Sequence, residues 1–140
     1  MINKTVLVVE RDPEEAQRII EFFKLFKFRN KIEVVHSKVE ALDYIFETGQ
    51  YANRQDHTKP GLILLDLLTN KTKDVNTLKP LQDYLSTQSI PLIILTSSDE
   101  QEKELREYTL GAMGFIRKPL DFTHLIEVIQ QLGMQWKERA

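Results

Sequence analysis

Short apolar runs of strand length recur along the chain with longer stretches of helical period between them, and this alternation constrains the fold more than any other feature. The runs are Val6 to Val9, Ile32 to Val35, Leu62 to Leu65, Leu92 to Leu95 and Phe115 to Ile116. A run that is apolar at nearly every position predicts a strand covered on both faces, and helical stretches between such strands predict crossover connections. The expected class is α/β: a doubly wound, five-stranded parallel sheet with helices on both faces. A chain of 140 residues is one domain on this reading, able to bury roughly two-thirds of the surface its unfolded form exposes.

Start and stop signals place the helices. Asp12 as N-cap, Pro13 at the first position and Glu15 open a helix at Pro13, with Ile19, Ile20, Phe23 and Phe26 as its apolar stripe. Ser37 and Glu40 form a capping box for a second helix, whose apolar face is Ala41, Leu42, Ile45 and Phe46 and whose stop is Gly49. A third covers Leu81 to Leu85 and starts near Lys79, because Pro80 fits only a first turn. A fourth runs from Asp99 to Leu110, capped by Ser98 and ended by Gly111. With few apolar anchors beyond Leu105, Tyr108 and Leu110, it is expected to be loosely held. The last starts at Phe122 behind Asp121 and carries Leu125, Ile126, Ile129, Leu132 and Trp136 on one stripe. The expectation is a single domain over residues 1–140 with no output domain. The polar stretch Gln50 to Pro60 is the one long connection; it reads first as a solvated insertion, with a functional loop as the alternative.

Composition removes several function classes. There is no cysteine, which excludes disulfides, thiolate metal sites and a thiol nucleophile. A formal net charge of −2 argues against a sequence-independent grip on nucleic acid. No apolar run could span a bilayer and the start lacks the pattern of a signal peptide, so a cytoplasmic protein without membrane contact is expected. Neither G-x-G-x-x-G nor G-x-x-x-x-G-K-[ST] is present, so dinucleotides and nucleoside triphosphates have no phosphate cradle. The sequence DLL at Asp66 lacks the second Asp of an aspartate-nucleophile phosphatase. His36, His57 and His124 sit on separate elements without ligand spacing, and surface or packing roles account for them. No organic cofactor is expected, and the chain is not read as an enzyme.

In an open parallel sheet, ligands gather beyond the carboxyl ends of the strands. Those ends carry Glu10, Arg11 and Asp12, then Asp66, then Thr96 with Ser97 and Ser98, then Lys118 with Pro119. Each has an ordinary explanation alone: Asp12 as a helix cap, Thr96 or Ser98 as a helix start, Lys118 as a solvated lysine. Ordinary roles leave the combination unexplained. An Asp closes one apolar run, a hydroxyl the next and a Lys-Pro the last.

That order, and the stretches VLVVERDP (6 to 13), LILLDL (62 to 67), PLIILTSS (91 to 98) and GFIRKPL (114 to 120), resemble the receiver domains of bacterial response regulators across nearly the whole chain. The resemblance implies a flavodoxin-like receiver fold and two-component phosphorelay signalling. Asp66 matches the phosphoacceptor, Thr96 the switch hydroxyl, Phe115 the switch aromatic and Lys118 the phosphate-contacting lysine. The implied partners are a sensor histidine kinase or phosphotransfer protein and a downstream protein target, with homodimerisation as a further form of association. The loop around Gly49, Tyr51 and Asn53, with Trp136, is similar to the stand-alone receivers that partner phytochromes.

One departure bears on mechanism. The family ends its first strand in two acids that hold Mg²⁺ together with the acceptor; here the first is Glu10 and the second is Arg11. The remaining metal ligands are Glu10 and Asp66. Glu10, Arg11, Asp66 and Lys118 sum to zero charge without a metal, so Arg11 is a candidate stand-in for the ion. An outward-pointing Arg11 is the alternative. Two readings follow: a phosphoacceptor module, and a degenerate receiver that binds partners independently of phosphorylation.

Overall fold

The computed structural model describes residues 5–25, 31–55, 59–66, 83–84, 90–108, 113–118, 121, 123–125 and 127. In chain order these form β1 (Val6–Val9), α1 (Pro13–Leu25), β2 (Ile32–Val35), α2 (Lys38–Phe46), a 3-10 turn (Gly49–Tyr51), β3 (Leu62–Asp66), β4 (Leu92–Thr96), α3 (Asp99–Tyr108) and β5 (Met113–Arg117). Residues 83–84, 123–125 and 127 are also helical. All strand pairs are parallel, in the order β2-β1-β3-β4-β5.

Every residue of β1, β3 and β4 is buried, as unbroken apolar runs demand. Side-chain alternation divides the core into two layers. Val6, Val8, Leu62, Leu64, Ile93, Leu95 and Ile116 pack with Ile19 and Phe23 of α1 and with Leu125. Leu7, Val9, Ile63, Leu65, Leu92, Ile94 and Phe115 pack with Ala41, Tyr44 and Ile45 of α2. Helices on both faces make the sheet doubly wound. β2 is an edge strand, half-buried until Val35.

Strands β3, β4 and β5 run past the apolar residues that identify them in the sequence. Asp66 pairs with Leu95 and Thr96 with Arg117, so the hydrogen-bonded ladders continue through polar positions. Hydropathy alone is blind to such a continuation.

The helix starts follow the local signals. Asp12 Oδ1 accepts the Glu14 N–H at 2.9 Å and α1 begins at Pro13. Ser37 Oγ accepts the Glu40 N–H at 3.0 Å, while Glu40 Oε2 accepts the N–H of His36, one residue before the cap. Asp121 Oδ1 accepts the His124 N–H at 2.9 Å. Phe26, the bounds of the third expected helix, Leu110, Gly111 and the rest of the last stripe lie outside the described residues, as do the side chains of Leu105 and Tyr108.

Two expectations are corrected. Gly49 does not stop α2; the helix ends at Phe46 and Glu47 takes the left-handed cap, φ 58°. Gly49 (φ 54°) instead opens the 3-10 turn, where a Cβ would stand 2.6 Å from Asp43 Oδ2. The inward face of α2 includes Tyr44, whereas Phe46 is half-exposed with its ring 4.6 Å from that of Tyr84.

The second correction concerns Gln50 to Pro60, whose described residues strap the end of α2. The Tyr51 ring meets Tyr44 edge-on at 5.1 Å and its hydroxyl donates to Glu40 Oε1 at 3.1 Å. Arg54 lies 4.2 Å over the Tyr44 ring and donates to the Tyr44 carbonyl at 3.2 Å; Lys59 Nζ donates to the Ile45 carbonyl at 2.7 Å. Burial and the Glu40 carboxylate push the Tyr51 phenol up to about 12, so it stays a donor at neutral pH.

Candidate functional site

The strand order places the site. From β1 the chain goes outward to β2 and then returns to β3 on the other side of β1, so the two connections leave a crevice at the carboxyl ends of β1 and β3. Glu10 follows β1 and Asp66 ends β3, and both fall there. Lys118 follows β5, two strands away, and its chain spans the gap: Nζ donates to Asp66 Oδ2 at 2.8 Å. Glu10, Asp66 and Lys118 continue the alternation of Val8, Leu64 and Ile116, while Thr96 continues that of Ile94.

Glu10 has no exposed surface and Asp66 is 7% exposed. One Glu10 oxygen accepts the Asp12 N–H at 3.0 Å. With both acids ionised, Glu10 Oε2 and Asp66 Oδ1 would be buried acceptors without a donor. Burial, then the hydrogen bond and charge of Asp66, push the Glu10 carboxyl up to about 8, so a proton on Glu10 supplies the missing donor at neutral pH. Lys118 is raised from its ordinary value: burial alone would lower it, but the hydrogen bond and charge of Asp66 outweigh that. At rest the pocket is neutral through one proton and one lysine.

Thr96 is fully buried; its hydroxyl donates weakly to the Ile116 carbonyl at 3.4 Å, and its own carbonyl accepts the Lys118 N–H at 2.7 Å. Phe115 lies beneath α3. Arg11 is exposed, and among the described residues the ion pair on Asp66 comes from Lys118 rather than from Arg11. The expectation that Arg11 stands in for an ion at Asp66 is therefore replaced by the outward alternative.

Sequence reasoning missed Arg106 and Arg117, and it gave His36 only a surface or packing role, which the structure makes specific. His36 Nδ1 lies 3.1 Å from the Glu10 carbonyl, which favours the proton on Nδ1, and the Glu10 N–H is held by the Val35 carbonyl at 2.9 Å. The β1–β2 pairing register brings them together, and no local pattern announces it.

Among the described residues no group of three or more His, Cys, Asp or Glu is gathered as for a metal. Glu10 Oε2 and Asp66 Oδ1 nevertheless form a pair of buried carboxyl oxygens that no other described group engages. Two hard oxygens with open positions suit Mg²⁺, which keeps several waters and uses one or two carboxylates. The residues present fit such an ion once Glu10 gives up its proton.

Residues 6–130 match the family model described as response regulator receiver domain. The chain is similar to the solved bacteriophytochrome response regulator AtBRR, 31% identical with a TM-score of 0.85 and covering 99% of both chains. Against the bacteriophytochrome response regulator RtBRR the identity is 30% and the TM-score 0.81, over 99% of this chain and 82% of that one. Response regulator Rcp1 of Synechocystis sp. is 23% identical over 96% of this chain and 90% of its own length. A structure of Rcp1 in its Mn²⁺-bound form shares the fold at a TM-score of 0.63, with 21% identity over 92% of this chain and 91% of that one.

Proposed function

Since the chain belongs to the response regulator receiver domain family of two-component signalling, we propose that Asp66 accepts a phosphoryl group from a histidine kinase or phosphotransfer protein. The observation that carries this reading is the buried Asp66 carboxylate at the end of β3 with Lys118 Nζ 2.8 Å away. An Asp66 oxygen attacks phosphorus as the bond from phosphorus to the donor's nitrogen or oxygen breaks, and the leaving group takes up a proton. Lys118 meets the negative charge of the phosphoryl oxygens, and the Thr96 hydroxyl, only weakly engaged, turns to donate to one of them. A divalent ion held by Glu10 and Asp66 supplies further neutralisation when bound. Rcp1 is known in a Mn²⁺-bound form, in keeping with such an ion.

The likeness to bacteriophytochrome response regulators supports a phytochrome-type kinase as donor. The output is protein binding, homodimerisation included, rather than catalysis or DNA contact. A second reading, a module that binds partners without phosphorylation, draws on Arg11 in place of an acid and on a pocket already neutral at rest. Intact mass after incubation with a small phosphodonor, with and without Mg²⁺, separates the two. Slow, metal-dependent gain of one phosphoryl group, absent in Asp66→Asn, supports the acceptor. No gain at any Mg²⁺ concentration, in wild type or in Arg11→Asp, leaves the binding module.

A further inference from the structure

Two arginines join α3 to the sheet from opposite directions. Arg117 leaves β5 and pairs with Asp99, the first residue of α3. Arg106 leaves α3 and lays its guanidinium 4.3 Å from the centroid of the Phe115 ring. Phe115 and Arg117 share one side of β5 by alternation, and Thr96 is the register partner of Arg117. The Arg106 side chain is 56% exposed, yet its Nε donates to Glu102 Oε2 at 3.2 Å, one turn earlier, and the guanidinium stays over the ring.

We propose that Arg106 is a positioning residue for Phe115: the Glu102–Arg106 pair holds the ring against β4 and β5 and, through the same contact, fixes α3 on the sheet. The backbone around the ring is tied to the carboxyl rim. Thr96 Oγ1 donates to the Ile116 carbonyl, the Lys118 N–H donates to the Thr96 carbonyl, and Lys118 Nζ reaches Asp66. The ring and the Asp66 ion pair therefore hang on one short stretch of chain, and the Arg106 contact, with the Arg117–Asp99 pair, carries a shift of that strand end into α3. The contact belongs to the resting chain and requires no modification of Asp66.

The test uses the full chain. In nuclear magnetic resonance, the Arg106 Nε–H proton is displaced by the ring current of Phe115, and Phe115→Leu abolishes the displacement. Arg106→Gln speeds hydrogen exchange of the α3 amides by about twofold to fivefold, the worth of an exposed cation–π contact. Arg106→Lys, which keeps the cation, restores most of the protection. Arg106→Gln speeds exchange less in the Phe115→Leu background than in wild type, because the ring contact is already gone there and only the pair with Glu102 is left to lose. An Arg106 proton unaffected by Phe115→Leu, equal exchange in Arg106→Gln and wild type, equal effects of Gln and Lys, or additive effects in the double variant would each overturn the proposal.

Discussion

A carboxyl group with no exposed surface sets the pH behaviour of the pocket. Glu10 keeps its proton to about pH 8 in the folded chain and to its ordinary 4.5 when unfolded, so between these values the folded state holds the extra proton. Its contribution is fully present below 4.5 and is lost as pH rises through about 8. Glu10→Gln keeps a donor for Asp66 without the titration. In metal-free buffer its unfolding free energy from urea titration should match wild type below about pH 4.5 and exceed it at about pH 8, by on the order of 1–3 kcal/mol. A difference independent of pH would contradict the raised Glu10. Because the same proton must leave before a cation binds, Mg²⁺ affinity should rise with pH up to about 8 in wild type. Arg11 is the other residue-scale determinant. It sits at the rim and faces solvent, so Arg11→Asp changes the local charge by two units without disturbing the core. Calorimetric titration should show Mg²⁺ bound roughly tenfold more tightly, an effect that shrinks in high salt. Glu10 and Asp66 were legible in the sequence as acids at strand ends. Their shared proton was not, since it depends on a β1–β3 neighbourhood that no local pattern fixes.

At the scale of elements, α2 shows how a helix end is completed from a distance. Its last turn contains no basic residue, and its Tyr44 and Ile45 carbonyls are instead met by Arg54 and Lys59 of the following loop. Cations at a carboxyl terminus offset the negative end of the helix dipole. Lys59→Met should cost about 1 kcal/mol in urea denaturation, the net worth of one such hydrogen bond. Arg54→Ala should cost more, because the stacking on Tyr44 goes with it. Equal stability of Lys59→Met and wild type would return this loop to the role of a solvated insertion. A polar composition suggested that role; the loop's cations and tyrosine are polar in name but spend their donors on α2. The helix starts at Pro13 and Lys38 were legible because capping involves residues two to four positions apart.

For the whole molecule, β1, β3 and β4 form the central layer, covered on both faces at every position. Leu64, fully buried in β3, has apolar neighbours throughout its layer, so Leu64→Ala should cost about 2–5 kcal/mol through lost transfer energy and the cavity left behind. Native-state hydrogen exchange should find the amides of these strands the slowest in the chain, with edge strand β2 faster. If β2 proved as protected as β3, burial would not be what sets local stability here.

The sequence by itself determined the α/β class, the identity of the strands and the residues at their carboxyl ends, because apolar period and capping are properties of neighbours along the chain. It also held the set of polar residues on the rim, since a parallel sheet gathers every strand's carboxyl end on one edge. Only the tertiary structure decided which charges meet. Lys118 reaches Asp66 across 52 residues of sequence while Arg11, next to Glu10, turns to solvent. Such pairings depend on strand order, on the face each side chain takes and on the cost of leaving a buried carboxylate without a partner. None of these is a local quantity, so the rim was readable residue by residue and its electrostatics only once the strands were side by side.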